Sequence, residues 1–241
     1  MIQVAISYGT GANNRYDLES IPKNIQLAMY KYELYKQNER QLIEALEKEK
    51  INVLTTHLPL NTLTLDANDV VFMIHEISQK FDCPYFIIHP NRKIESFISY
   101  YLDNRIWNDE HDYKLCIETF GWKSKKRIRT PIDIMEYCVK YPELSMCIDT
   151  SHVEEMWLDH KILSSLLRHT SVIHLSNRAK GHGSHLPFNS PNGELNLVRF
   201  VIDLKKVYNW SGVIVLEYMP EYQHKLMKNY QYIKRLLGED I

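Results

Sequence analysis

Seven short, nearly continuous apolar runs recur along the chain: VAIS (4–7), NVLTTH (52–57), YFIIH (85–89), KLCIE (114–118), LSMCID (144–149), SVIH (171–174) and GVIVLE (212–217). A strand with one wet face alternates apolar and polar residues, whereas a strand covered on both faces does not, so these runs read as parallel strands between helices. From Val53 onward most of them start about 26–32 residues apart, which leaves room for a strand, a loop and a crossover helix in each repeat. Helical spacing is found between them, at 39–49, Ala67–Phe81, 130–141 with Pro131 as its first helical residue, His160–Leu167, 195–208 and 226–237. NIQLAMY (24–30) reads either as a further strand or as part of a long helix. As a strand it brings the number to eight, and the expected fold is α/β, a single (β/α)8 TIM barrel over residues 1–241 with a shortened or irregular first crossover.

The composition permits this and narrows the partners. With 44% hydrophobic residues in 241, the chain has material for a sizeable core, and α/β barrels reach this length as one domain. Twenty-nine Lys plus Arg against 30 Asp plus Glu give a net charge of -1, so no global positive field marks a polyanion partner. The opening MIQVAISYG lacks the layout of a secretory signal and no apolar stretch has spanning length; a soluble, cytoplasmic protein without a membrane partner is expected. Cys83, Cys116, Cys138 and Cys147 form no CxxC pair, and Cys116 and Cys147 read as small buried hydrophobes.

Residues able to ligate a metal stand at or just beyond six of the run ends: His57, His89, Glu118, Asp149 with His152, His174 and Glu217, with His185 in the segment after His174. In a βα barrel these chain-distant positions converge on one rim. Taken singly, each has a structural alternative: a histidine can anchor a loop, and Asp149 can cap a turn. Carboxylates closing apolar strands are costly unless paired, hydrogen-bonded or metal-bound, and six such ends together point to divalent-metal chemistry. The gap at 176–194, rich in Gly and Pro, reads as a large active-site loop. The basic run KSKKRIR (123–129) supplies Lys123, Lys125, Lys126 and Arg127 as phosphate contacts, or is a solvated charge run. Phe120, Trp122, Trp157 and Phe188 are candidates to stack on a ligand or simply to pack locally, with Trp122 the leading one.

These residues resemble the xylose-isomerase-like TIM-barrel superfamily, which includes sugar isomerases and epimerases and the endonuclease IV group of apurinic/apyrimidinic endonucleases. The carboxylate, carboxylate, histidine, carboxylate set common to both branches matches Glu118, Asp149, His174 and Glu217. THLPLN at His57, IIHP at His89, IETFG at Glu118, CIDTSH at Asp149 and His152, IHLSN at His174 and the later His185 resemble the endonuclease branch. That resemblance implies one to three ions, Zn or Mn. His57, His89 and Glu118 would hold one; Glu118, Asp149, His174 and Glu217 a second; His152 and His185 would contribute to a third. The chain departs from the branch where an aspartate is expected two residues before the loop histidine: it has Gly183. Either His182 substitutes, or the third ion is absent or held differently. YGTG (8–11) resembles a substrate-facing first loop.

The leading expectation is a metal-dependent hydrolase of phosphodiester or phosphate-ester bonds, with abasic DNA or another phosphate ester as substrate. The alternative is an isomerase or epimerase of a small sugar or sugar phosphate, in which Glu118 and Glu217 exchange a proton across an enediolate. In both, Glu118 and Glu217 are the catalytic candidates. A barrel used as a non-catalytic scaffold is the lesser alternative.

Overall fold

The computed structural model describes residues 1–9, 18–59, 61–90, 93–104, 113–119, 130–179 and 182–239, with the backbone alone at 155–156 and 182–184. Among them, eight parallel strands close into a barrel: β1 (Ile2–Gly9), β2 (Asn24–Ala28), β3 (Asn52–His57), β4 (Tyr85–Ile88), β5 (Lys114–Glu118), β6 (Leu144–Asp149), β7 (Thr170–Leu175) and β10 (Gly212–Leu216). Each pairs with its chain neighbour, and β10 closes the ring by pairing with β7 and β1. Of the segment at 24–30, Asn24–Ala28 is therefore a strand; residues 10–17 of its connection from β1 lie outside the described residues.

Seven helices cover this barrel among the described residues: α1 (Tyr32–Lys48), α2 (Ala67–Phe81), α3 (Ile94–Asn104), α4 (Pro131–Lys140), α5 (His160–Leu167), α6 (Leu197–Lys206) and α7 (Leu226–Leu236). Their ends follow from local chemistry. Thr130 and Asp133 form a reciprocal capping box with Pro131 in the first turn of α4, and the Asp66 carboxylate accepts from Asn68 N at the start of α2. Two helices differ from the sequence expectation. α1 begins at Tyr32 rather than near residue 39, because Tyr35 is wholly buried and anchors an otherwise polar first half. α3 is absent from the sequence expectation: its buried Ile94, Phe97, Ile98 and Tyr101 have helical spacing, but their β-branched and aromatic character does not favour a helix locally.

The apolar side chains form two clusters. The larger lies between strands and helices; the smaller, Ala5, Ile87, Cys116, Cys147, Val172, Val213 and Val215, fills the barrel interior. Because side chains alternate along a strand, each interior residue shares its side with the residue two positions on. Ile87 thereby aligns with His89, Cys116 with Glu118, Cys147 with Asp149, Val172 with His174 and Val215 with Glu217. Buried Cys116 and Cys147 are free thiols, as expected.

The segment expected as one large loop after β7 contains an antiparallel hairpin, β8 (Asn177–Ala179) and β9 (His182–Leu186). Asn177 ties it down: its amide donates to Phe188 O and Leu195 O, and its oxygen accepts from Arg178 N and Leu195 N. Arg178 reaches Glu194 and the Val153 carbonyl. No helix among the described residues is long and apolar enough to cross a membrane.

A Cβ at Gly193 would fall on the Asn177 side-chain amide. Gly193→Ala is expected to destabilise the protein by about 1–3 kcal/mol through overpacking, read as a fall in melting temperature of several degrees; an unchanged midpoint would show that Asn177 is not clamped.

Candidate metal centre

Glu118 is the hub of the rim. It closes β5, is 1% exposed, and directs Oε2 to 2.6 Å from His89 Nε2 and 3.0 Å from His57 Nε2. Its Oε1 lies 3.4 Å from His174 Nδ1 and 3.6 Å from His152 Nδ1. His57 Nδ1 sits 2.8 Å from the Leu58 carbonyl, which can only accept, so Nδ1 carries a proton and Nε2 is the ring atom offered to the site.

Asp149 performs both roles that its sequence context allows. Its Oδ1 accepts from Ser151 N and Ser151 Oγ, each at 2.8 Å, which makes the turn after β6. Its Oδ2 faces the site, 3.3 Å from His152 Nδ1 and 3.7 Å from His185 Nδ1. The hairpin delivers His185, whose Nδ1 is 3.1 Å from Ser176 Oγ and whose carbonyl accepts from Met219 N just beyond β10. On the far side, His174 Nδ1 lies 2.9 Å from Glu217 Oε2.

The ligand-capable atoms form overlapping sets within 4.8 Å: His57, His89 and Glu118; His57, His174 and Glu217; Asp149, His152 and His185; and Glu118, Asp149, His174 and Glu217. All eight sequence candidates from six strand ends and the hairpin thus meet at one place. Three carboxylates with five imidazoles are a donor set able to hold a divalent metal ion. Asp149 Oδ2 and His174 Nδ1 are buried and face the other charged groups of the site, His152 at 3.3 Å and Glu217 at 2.9 Å. His182 has its backbone in β9, but its side chain is outside the described residues, as are Phe120, Trp122, Lys123, Lys125, Lys126 and Arg127 and the loop at 10–11.

Two of the aromatic candidates pack locally, the second of the readings open to them. Phe188 is 1% exposed and stacks edge-on against Tyr232, so it packs the hairpin against α7 and cannot reach a ligand. Trp157 is partly buried against the main core. Reading along the sequence missed Thr119, whose hydroxyl accepts from Asp149 N, and Gln26, whose amide oxygen lies 2.8 Å from His174 Nε2. Gln26 has no sequence signal, since a lone glutamine in a strand resembles any solvent-facing residue.

Charge balance at the rim follows from burial and proximity. Burial opposes ionisation of Glu118, but His89, His174 and His152 hold it well below the usual carboxylate range. Glu217 is also held low, against burial, by His174, His185 and His57. Burial opposes protonation of the imidazoles, yet Glu118 and Glu217 raise His57, and Asp149 with Glu118 push His152 up to about 9. His174 rises against burial through the Cys147 sulfur, Glu217 and Glu118. In the metal-free protein, protonated imidazoles therefore neutralise the carboxylates.

No family model matches the chain. A relative named "Probable endonuclease 4" from Mycoplasmopsis pulmonis is 25% identical over an alignment of 207 residues, covering 74% of this chain and 73% of the relative. Among solved structures, a D-tagatose 3-epimerase-like protein superposes with a TM-score of 0.71 at 17% identity, covering 98% of this chain and 97% of its own. Endonuclease IV from Thermus thermophilus superposes with a TM-score of 0.62 at 15% identity, covering 99% and 100%. A xylose isomerase domain-containing protein from Salmonella typhimurium gives 0.67 at 12%, covering 98% and 96%. The chain shares the xylose-isomerase-like barrel fold. Proteins named as epimerases and as endonuclease IV lie on both sides of it.

Metal must displace the imidazole protons. Adding Zn2+ to metal-free protein at pH 7 in weak buffer is expected to release protons, and affinity to fall as pH drops; pH-independent binding without proton release would contradict this. The sign for metal-free stability is also set. The depressed carboxylates contribute above their ordinary 4.5 and lose that contribution as pH falls below it, whereas raised His152 contributes fully below 6.5 and loses it as pH rises through about 9. Thermal melts of the stripped protein should peak between those two ordinary values.

Proposed function

We propose that this chain is a divalent-metal-dependent hydrolase of phosphodiester or phosphate-ester bonds, with abasic DNA as the leading substrate. The observation that carries this reading is the surplus of donors. One mononuclear centre cannot use all eight converging groups, whereas sets overlapping at Glu118 suit more than one ion. Glu118, His57 and His89 are proposed for one position, Glu118, Asp149, His174 and Glu217 for a second, and Asp149, His152 and His185 for a third. The 25% identity to a probable endonuclease 4 supports the same reading.

Bound ions supply Lewis-acid charge at the phosphoryl oxygens and lower the pKa of water. The chain's own residues supply position and proton transfer. Glu118, buried and surrounded by imidazoles, is a fixed negative centre between donor sets. Glu217 has a side chain 24% exposed, so it can meet substrate, and His174 beside it keeps the carboxylate ionised and in position to orient an attacking water. The apolar floor beneath limits water to the open side of the rim. Lys123, Lys125, Lys126 and Arg127, which follow Glu118 in the chain, are proposed as phosphate contacts, with Trp122 against the base or sugar.

A second reading has its own support. Glu118, Asp149, His174 and Glu217 form a compact set by themselves, as an isomerase or epimerase with one ion requires, and Glu118 and Glu217 can then exchange a proton on a sugar.

Ions per chain, nicking of duplex DNA with an abasic site and interconversion of a ketose panel decide between them. Two or more ions and nicking are expected, with Glu217→Ala lowering kcat by about 100-fold or more. A single ion with sugar turnover lost in Glu217→Ala would establish the second reading. Absence of metal and of both activities would overturn both.

A further inference from the structure

Gln26 is fully buried inside the barrel on β2, in register with Ser7 on β1 and close to Thr55 on β3. β2 and β7 are not neighbours in the sheet, yet Gln26 Oε1 lies 2.8 Å from His174 Nε2, so the side chain crosses the interior. The same oxygen accepts from Thr55 Oγ1 at 3.0 Å, and the amide nitrogen donates to Ser7 Oγ at 3.4 Å. An amide oxygen can only accept, so Nε2 of His174 must carry a proton. The ring nitrogen left to ligate is Nδ1, which is buried and faces the carboxylates, 2.9 Å from Glu217 Oε2 and 3.4 Å from Glu118 Oε1.

We propose that Gln26 is a positioning residue of the metal centre, fixing the tautomer and ring orientation of His174 so that Nδ1 faces a divalent cation, with Thr55 holding the Gln26 amide in turn. The proposal rests on the metal-centre reading above. It explains why a long amide is buried in a parallel strand. His57 has its tautomer set by the adjacent Leu58 carbonyl, whereas the partner of His174 Nε2 comes from across the barrel. It also explains the choice of amide over acid: Glu118, Asp149 and Glu217 already crowd the site, and a neutral acceptor orients the ring without a fourth buried charge.

The test uses the full chain, stripped and reloaded with Zn2+ alone, comparing wild type with Gln26→Met, Gln26→Glu and Thr55→Val. Ions per chain, affinity by competition with a chromophoric chelator and the melting point of the metal-free form are measured. Gln26→Met is expected to weaken one ion by about 10–100-fold while the others keep wild-type affinity. Gln26→Glu, which can accept the same hydrogen bond but adds buried negative charge, is expected to recover part of that ion's affinity relative to Gln26→Met, and Thr55→Val to fall between Gln26→Met and wild type. Unchanged affinity in Gln26→Met, or loss of every ion in step with a lowered melting point in both Gln26 variants, would overturn the proposal. If Gln26→Met does not fold, wild-type affinity in Thr55→Val together with loss in Gln26→Glu overturns it. Absence of Zn2+ binding in wild type would instead sink the metal-centre reading, and this proposal with it.

Discussion

Three buried or half-buried carboxylates, Glu118, Asp149 and Glu217, stand directly above a floor of Ile87, Cys116, Cys147, Val172 and Val215. Charge in such a place is unfavourable by several kcal/mol per ion unless opposite charge is brought to it. The mouth of the barrel is organised around that requirement. Five imidazoles from different strands and the hairpin surround the carboxylates, and where no cation is bound the raised His57, His152 and His174 hold protons that offset the charge. A divalent ion meets the same demand with greater charge density, which is why proton release and metal binding are two aspects of one constraint.

The surrounding contacts orient these groups. Leu58 O directs the His57 ring, Ser151 occupies one oxygen of Asp149 and leaves the other to the site, and Gln26 reaches His174 from across the interior. His185 depends on a longer chain of support. The Asn177 amide, Gly193 packed against it and the Arg178–Glu194 pair fold the hairpin back so that its histidine meets Asp149. Preorganised donors of this kind bind a cation without reorganising to meet it.

Much of the fold was legible because its repeat is short and chemically distinct. Near-continuous apolar runs at regular intervals required helices on the outside, and residues such as Glu118 and Asp149, ending those runs, were conspicuous for their cost. Exceptions have physical causes. α3 escaped because Ile, Phe and Tyr on its buried face favour strands locally, and the hairpin escaped because its pairing is short and its sequence rich in loop formers. Phe188 looked available to a ligand because its sequence context is a loop, yet the hairpin turns it against Tyr232.

The sequence by itself determined the strand repeat, the α/β class and the identity of eight metal-capable residues, since periodicity and the expense of burying charge are properties of local composition. Tertiary structure alone decided which of those residues meet, which oxygen of Asp149 and which nitrogen of His174 face the others, and that Gln26 touches His174. Those are relations between groups up to 148 positions apart in the chain, and closure of the barrel is what brings them within hydrogen-bonding distance.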